Sequence, residues 1–297
     1  MLSRRTMFRM PIASAMTLGT ALLLAACSSG AAPATAVITP VSTGAASSAS
    51  AGPVATETQI AHMPTPATSA IPNPAPGSVR IGYYDNAEVE IVTSTGRHIF
   101  IDVYNAGVVS RPTAQDILLT SHAHDDHVDT DFLAKFPGQK ITYSPGKIDL
   151  PDVKIQSINA EHNDGLLYSD HILVIDVEGM RVVHFGDLGE TAIHDDQMAV
   201  IGDHVDIAFS QLYNQLSSMD ETNNKGIHQM NQVKPLLFVP THASYETLLA
   251  ASKTWPSQWT KGTIVVSKDK LPAKTTMLLM GASALEGPGL GATPSGW

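Results

Sequence analysis

The sequence predicts a single α/β domain of about 200 residues in which helices cover β-sheets. Short β-rich runs fill residues 79–185, and helical patterns alternate with further strands over residues 193–279. Residues 28–78 show neither the period of a strand nor that of a helix. The chain has 297 residues, of which 43% are hydrophobic and 15% are charged. This length and composition suit one folded core joined to a segment that lies outside it.

Each predicted element follows from a local pattern. Runs of β-branched and aromatic residues bounded by turn residues indicate strands, and apolar residues at helical spacing indicate helices. The predicted strands are Val79–Tyr84, Glu88–Thr93, His98–Val103, Ile117–Thr120, Lys140–Tyr143, Lys154–Ile158, His171–Ile175, Arg181–Phe185, a run near Ile207, Leu236–Val239, Gly262–Val266 and Thr275–Leu279. The predicted helices are Thr130–Phe136, Ile193–Ile201, His228–Val233 and Tyr245–Ser252.

Charge and cysteine content exclude two classes of protein. Acidic residues outnumber basic ones 28 to 18, which gives a net charge of -10. We expect no nucleic-acid partner, because such partners are bound through clustered Lys and Arg side chains. The chain has a single cysteine, Cys27, so an intramolecular disulfide framework is excluded.

Residues 1–26 have the organisation of an export signal, with a basic start, an apolar stretch over residues 11–26 and small residues before the cysteine. Leu24-Ala25-Ala26-Cys27 resembles the lipobox of bacterial lipoproteins. The resemblance implies that the signal peptide 1–26 is removed and that Cys27 is lipidated, which would anchor an exported protein to a bacterial membrane. The anchor would lie on the outer face of the cell membrane, or in the outer membrane if the cell has one.

A buried or membrane-spanning helix is the alternative for the apolar stretch, but roughly 16 residues are short for a span of about 20. The pair Arg4 and Arg5 also resembles a twin-arginine export motif, which would permit folding and metal binding before export. Residues 27–78 are rich in Ala, Ser, Thr and Pro, and Glu57 is their only charged residue. This composition predicts a disordered linker between the anchor and the domain.

A dense group of histidines and aspartates follows the predicted strand Ile117–Thr120. His122, His124, Asp126 and His127 fall within six positions of one another, where the strand ends and a loop begins. Imidazole and carboxylate groups at this density are typical of a metal site. The alternative is a solvated polar loop in which the histidines have no common role.

These residues resemble the HxHxDH signature of the metallo-β-lactamase superfamily, and four companion motifs occur in that family's order, one before the signature and three after it. Asp102 ends a predicted strand, and the other three motifs are Ala160–His162, His184–Gly189 and Pro240–His242. The resemblance covers residues 79–282 and implies a four-layer αββα sandwich. It defines residues 79–285 as a hydrolase domain and leaves residues 286–297, which are rich in Gly and Pro, as a flexible tail.

The resemblance also implies a pair of divalent metal ions. The ligands would be His122, His124 and His162 for the first ion, Asp126, His127 and His242 for the second, and Asp187 as a bridge between them. For a single histidine in this set, a hydrogen-bonded loop or core position is the alternative. The imidazole-rich set without thiolate favours Zn(II), although Mn, Fe and Ni are also compatible.

The implied function is hydrolysis of a small-molecule ester, lactone or phosphoester by a hydroxide that bridges the two metals. Asp126 would orient the hydroxide, Asp187 would hold the metal pair, and His228 would protonate the leaving group, with Tyr213 and His194 as other candidates. The sequence His184–Gly189 is most similar to the subgroup that contains ascorbate-phosphate lactonase.

Two other functions fit the same sequence. One is an exported metal-binding lipoprotein with a binding or scaffolding role and no turnover. The other is an enzyme that hydrolyses β-lactams. The spacing of 54 residues between Asp187 and His242 leaves no room for the inserted domain of nucleases in this superfamily. The oligomeric state stays open.

Overall fold

The computed structural model describes residues 71–163 and 169–297. The predicted signal peptide, Cys27 and residues 27–70 of the predicted linker lie outside the described residues. None of the helices in the described ranges is long and apolar enough to cross a membrane.

The described chain alternates strands with four short α-helices. The strands are β1 (Ser78–Asp85), β2 (Glu88–Val92), β3 (His98–Ile101), β4 (Ile117–Thr120), β5 (Gln139–Thr142), β6 (Gly146–Asp149), β7 (Val153–Ala160), β8 (Asp170–Val177), β9 (Met180–His184), β10 (Ile207–Ser210), β11 (Leu237–Pro240), β12 (Ser257–Trp259), β13 (Ile264–Ser267), β14 (Thr276–Leu279) and β15 (Thr293–Pro294). The helices are α1 (Thr130–Lys135), α2 (Asp195–Ile201), α3 (Lys225–Val233) and α4 (Tyr245–Thr254).

The strands form two sheets. The smaller sheet has six strands in the order β13-β1-β2-β3-β4-β5, and the larger has nine in the order β15-β12-β14-β11-β10-β9-β8-β7-β6. Strand β3 is parallel to β4, and β9, β10 and β11 are parallel to one another. Strand β7 runs in the same direction as β9, because each is antiparallel to β8. The loops that leave β7, β9, β10 and β11 at their carboxyl ends therefore emerge at one edge of the larger sheet.

The two sheets pack face to face around an apolar core. Alternate residues of each strand point into this core, as Ile99 and Ile101 of β3 show, whereas Phe100 between them points to the opposite face of the sheet. In the larger sheet, Ile207 and Phe209 of β10 face the same core. All five side chains are completely buried. Both faces of these strands are therefore covered, which agrees with their continuous apolar sequences.

Helices form the two outer layers. Phe132 and Leu133 of α1 pack against Phe100 on the outer face of the smaller sheet. Residues of α2, α3 and α4 pack on the outer face of the larger sheet, including Met230 of α3 and Leu248 of α4. The layer order is helix, sheet, sheet, helix, and the predicted four-layer αββα sandwich is confirmed.

The carboxyl-terminal segment differs from expectation. Residues 286–297 contain a 3-10 turn at Gly287–Leu290 and the strand β15, which pairs in parallel with β12. A side chain at Gly287 would lie 2.7 Å from Trp259, so this close contact requires glycine. Trp297 packs against the core between the sheets. The Gly- and Pro-rich composition that predicted a flexible tail instead permits the tight path of this segment along the domain.

The sequence also missed strands β6 and β12. Both are short, and the three residues of β12 are only partly buried. They lack the apolar run that distinguishes a strand within a sequence, so their pairing with β7 and β14 determines their conformation.

Glu88 makes the stability of the fold dependent on pH. This residue begins β2 and is completely buried, and neither of its carboxylate oxygens has a hydrogen-bond partner among the described residues. Burial raises the pKa of Glu88 from 4.5 to about 8. The folded state therefore retains a proton that the unfolded state releases at lower pH. Its contribution to stability is lost as the pH rises through 8.

We expect the free energy of unfolding to fall by about 3 kcal/mol between pH 5.5 and pH 8.5 through this group alone. The substitution Glu88→Gln should abolish that part of the decrease, and Glu221→Gln, at an exposed position, should not change it. Urea denaturation of the three proteins at both pH values measures the difference. Equal decreases in all three would show that Glu88 is charged in the folded state.

Candidate metal centre

The predicted ligands meet because the loops that carry them leave strands at one edge of the sandwich. His122 and His124 follow β4, and His162 follows β7. Asp187 follows β9, and His242 follows β11. These side chains are separated by up to 120 positions in the sequence, yet the structure brings all of them together.

Gly186 allows the loop after β9 to approach the other loops. Its backbone has a φ of 53°, a conformation that residues with a side chain rarely adopt. A Cβ atom at this position would lie 2.3 Å from Asp170 Oδ1 and 2.8 Å from Ser121 Cβ. Glycine is therefore required for Asp187 to reach the centre of the histidine cluster.

Asp187 occupies that centre and directs one oxygen to each side. Its Oδ2 lies 3.4 Å from His162 Nε2 and 3.8 Å from His122 Nε2. Its Oδ1 lies 3.4 Å from His127 Nε2 and 3.3 Å from His242 Nε2. The two oxygens of one carboxylate thus face two separate pairs of imidazoles, which is the geometry that a bridging ligand needs.

Three groups of potential ligand atoms are found among the described residues, each with all its atoms within 4.8 Å of one another. The groups are His122, His124 and His162; His122, His127 and Asp187; and Asp126, His127 and His242. Asp126 is the most exposed member, since 47% of its side chain is accessible, and its Oδ2 lies 4.0 Å from His242 Nε2. The first and third groups have the composition predicted for the two metal sites.

The donor set fits divalent cations. It combines imidazole and carboxylate ligands without thiolate, which suits Zn(II) and is also compatible with Mn, Fe or Ni. Asp187 Oδ1 is buried and has no hydrogen-bond partner among the described residues. The Nε2 atoms of His127 and His242 lie 3.3 Å apart beside it. A cation would satisfy the unpaired oxygen and both nitrogens, whose burial is otherwise costly.

The electrostatics of the site show how tightly these charges are coupled. Burial would raise the pKa of Asp187, but the neighbouring imidazoles, first among them His127, hold it well below its ordinary value. Burial would lower the pKa of His127, but Asp102 and Asp187 hold it well above the ordinary value. The pKa of His124 is lowered by burial and by the imidazoles around it. Because metal ligands must be deprotonated, metal binding at His127 Nε2 would displace the proton on that nitrogen.

Asp102 holds one of the candidate ligands in place. This aspartate directly follows the strand β3 and accepts hydrogen bonds from the backbone N–H and the hydroxyl of Ser121, both at 2.7 Å. Its Oδ2 also lies 3.0 Å from His127 Nδ1. A proton on Nδ1 leaves His127 Nε2 free to bind a cation, an arrangement that commonly orients metal-binding histidines.

Asp170 has the corresponding position behind His122, and the sequence did not predict it. Its carboxylate is completely buried, and Oδ1 lies 3.4 Å from His122 Nδ1. The pair Asp170 and His171 at the start of an apolar strand was the available signal, because polar residues are rarely buried there without a partner.

Asn214 was likewise not predicted as part of the site. Its side-chain amide donates a hydrogen bond of 2.6 Å to Asp187 Oδ2. Ser217, in the same segment, donates through its hydroxyl to the backbone carbonyl of Asp187 at 3.0 Å. These bonds restrain the side chain and the backbone of Asp187. A lone asparagine in a loop has no sequence signal for such a contact.

A cavity of about 450 Å³ lies beside His242 and Asp126, and Tyr213 lines it. His228 does not, because it lies on the exposed face of α3, whose other face packs against the domain. His194 caps α2 and lines a different cavity. Of the three proton donors considered from the sequence, the structure brings only Tyr213 to this cavity.

Comparison with known proteins identifies the family of this chain. The model of the family described as "Beta-lactamase superfamily domain" matches residues 80–242, which is more than half of the chain. The chain therefore belongs to the β-lactamase superfamily. This family confirms the prediction of a metal-dependent hydrolase of the metallo-β-lactamase superfamily. No curated protein matches the sequence.

Three solved structures are similar to this chain at low sequence identity, and the first of them supports the fold. A protein from Thermotoga maritima, described as a Zn-dependent hydrolase of this superfamily, is 17% identical with a TM-score of 0.51, over 68% of this chain and 98% of that one. A metallo hydrolase from Ignicoccus hospitalis is 19% identical with a TM-score of 0.43, over 56% and 83%. A metal-dependent hydrolase from Parabacteroides distasonis is 18% identical with the same TM-score and coverage.

Replacing Asp102 should weaken metal binding through His127. In Asp102→Asn, an amide takes the place of the carboxylate that holds His127 Nδ1, so we expect the affinity for Zn(II) to fall by about 10- to 100-fold. Competition with a chromophoric chelator measures the change.

Asp116→Asn is the matched control, because Asp116 is equally buried and hydrogen-bonded but precedes β4 at the end remote from the histidines. It should lower stability without changing metal affinity. Equal losses of affinity in the two variants would mean that Asp102 acts through general stability alone.

Proposed function

We propose that residues 79–285 form a dinuclear metal-dependent hydrolase that acts on a small ester, lactone or phosphoester. The observation that supports this proposal is the division of Asp187 between two groups of imidazoles, Oδ2 toward one and Oδ1 toward the other. His122, His124 and His162 would hold the first ion, and Asp126, His127 and His242 the second. Zn(II) is the proposed metal, because the ligand set has five imidazoles and no thiolate.

Two bound ions would supply Lewis acidity and lower the pKa of a shared water to about 7, so that hydroxide is available at neutral pH. The protein residues determine where this chemistry occurs. Asp187 holds the two sites at a fixed separation, and the amide of Asn214 restrains one of its oxygens. Asp126 is partly exposed beside the cavity, so its carboxylate can orient the attacking water and accept its proton.

Tyr213 is the proposed proton donor to the leaving group. It lines the cavity that contains His242 and Asp126, and its backbone N–H bonds to the carbonyl oxygen of His242 at 3.0 Å. The bond supports this role because it joins the backbone of Tyr213 to that of a candidate metal ligand. His228 lacks any comparable contact and is not proposed for this role.

We also propose that the domain belongs near the ascorbate-phosphate lactonase subgroup and is tethered to a bacterial membrane. The support is the sequence alone: His184–Gly189 for the subgroup, and Leu24–Cys27 for lipidation after removal of residues 1–26. An exported protein with residues 27–78 as a linker would act on substrates outside the cytoplasm.

The central test of the proposal is metal content combined with hydrolysis. We expect the purified protein to bind two transition-metal ions and to hydrolyse at least one member of a panel of lactones, phosphodiesters, thioesters and β-lactams, with loss of activity in chelator. Asp187→Ala should lose at least one ion and more than about 100-fold in activity. Asp131→Ala, at an exposed aspartate of α1, should change neither.

Other results distinguish the alternatives. Fewer than one tightly bound ion per chain would contradict the dinuclear site. Two bound ions without chelator-sensitive hydrolysis of any substrate would favour a binding or scaffolding lipoprotein. Hydrolysis confined to β-lactams would identify a β-lactam-hydrolysing enzyme.

The lipid anchor is tested separately. In a bacterial host fed labelled palmitate, the protein should become labelled, Cys27→Ala should lose the label, and Ser28→Ala should keep it. Only the cysteine provides a sulfur for the diacylglyceryl group, so retention of label by Cys27→Ala would rule out lipidation at this site.

A further inference from the structure

The cavity beside the candidate metal centre carries negative charge that no basic residue compensates. Its lining includes the carboxylates of Asp85, Asp126 and Glu286 and, among the described residues, no Lys or Arg. None of these carboxylates forms an ion pair with a Lys or Arg in the described part of the chain. Residues 164–168, which lie outside the described ranges, also contain no Lys or Arg in their sequence.

A buried hydroxyl in the same cavity indicates a ligand. Thr241 lines the cavity, is 4% exposed, and its Oγ1 has no hydrogen-bond partner among the described residues. A polar group left unpaired in this way is costly unless a bound molecule satisfies it. Leu248 and Ala243 provide apolar wall on the same cavity. The lining thus combines an apolar surface, one unsatisfied hydroxyl and three carboxylates.

The negative potential extends to a neighbouring phenol. Burial raises the pKa of Tyr104, and the charges of Asp85 and Asp126 raise it further. Asp85 is the last residue of β1 and Asp126 lies in the loop after β4, so the potential does not depend on a single loop. Bound divalent ions would compensate the charge of Asp126, which would ligate one of them, so the field that acts on a substrate in the metal-containing protein would come from Asp85 and Glu286.

We infer that this cavity selects cationic over anionic substrates, and that the favoured substrate is a small ester with an ammonium group at the end remote from the scissile bond. The inference rests on the proposed hydrolase function and narrows it, because phosphoesters and other anions are disfavoured. Asp85 and Glu286 would face the ammonium group, and the ester would reach the metals beside His242.

The reaction is an ordinary hydrolysis. Water oxygen bonds to the carbonyl carbon, the bond between that carbon and the alcohol oxygen breaks, and a proton passes to the departing alkoxide. The products are a carboxylic acid and an amino alcohol, and neither oxidant nor reductant is required.

Three acetate esters of similar size test the inference. Their alcohols end in a trimethylammonium, a tert-butyl or a sulfonate group, which are cationic, neutral and anionic at every pH used. We expect kcat/KM of the Zn(II)-containing protein to decrease in that order. The double variant Asp85→Asn with Glu286→Gln should reduce the preference for the cation over the neutral ester by about tenfold, or about threefold for each partly exposed charge.

A matched control removes the same charge elsewhere. Asp131→Asn with Asp149→Asn changes two carboxylates that are 84% and 76% exposed outside the cavity, and should leave the preference unchanged. Added salt should reduce the preference in the wild type and have little effect in the cavity variant. Binding of the three free alcohols, measured by ligand-observed NMR, gives a readout that does not depend on turnover.

The outcomes separate the two proposals. Hydrolysis without a preference for the cation, or with the same preference in the cavity variant, would overturn the charge selection and leave the hydrolase function intact. Cation-selective binding that Asp85→Asn with Glu286→Gln abolishes, without hydrolysis of these esters or of the wider panel, would support the charge selection and overturn the hydrolase. If the protein neither prefers the cation nor hydrolyses any of these substrates, both the charge selection and the hydrolase function are overturned.

Discussion

The burial of one carboxylate among imidazoles is the constraint on which this site depends. Asp187 is 1% exposed and lies within 3.8 Å of ring nitrogens from His122, His127, His162 and His242. A charge so placed is stable only if positive charge is delivered to both of its oxygens. The loops after β4, β7 and β11 supply these imidazoles, so distant parts of the chain must converge to within ångströms.

The sandwich supplies the rigidity that this convergence requires. Strands β3, β4, β7, β9, β10 and β11 have apolar residues buried in the core between the sheets, so the starting points of their loops are fixed. The site then gains a second layer of support. Asp102 holds His127 Nδ1 at 3.0 Å, and the hydroxyl of Ser121 lies 3.0 Å from His122 Nδ1, with Asp170 beyond it at 3.4 Å. This leaves the Nε2 atoms to face Asp187 and any bound cation.

Much of the fold and of the candidate centre could be predicted from the sequence. Apolar runs located most strands of both sheets, and the spacing of His122 to His127 after a strand indicated metal chemistry. Asn214 could not be predicted, because its contact with Asp187 joins loops after β9 and β10 that have no sequence relation. The position of His228 on the exposed face of α3 could not be predicted either, because a single histidine in a helical pattern carries no information on which face of the helix will be buried.

The sequence by itself determined the kinds of ligand, their order and the strands that carry them, because these depend on side-chain chemistry and local periodicity. Only the tertiary structure decided that the two oxygens of Asp187 face different imidazole groups, that Asp170 supports His122, and that residues 286–297 pack on the domain. It also decided that Asp85 and Glu286, 201 positions apart, line one cavity. Such relations depend on the packing of elements distant in the chain, for which local sequence has no pattern.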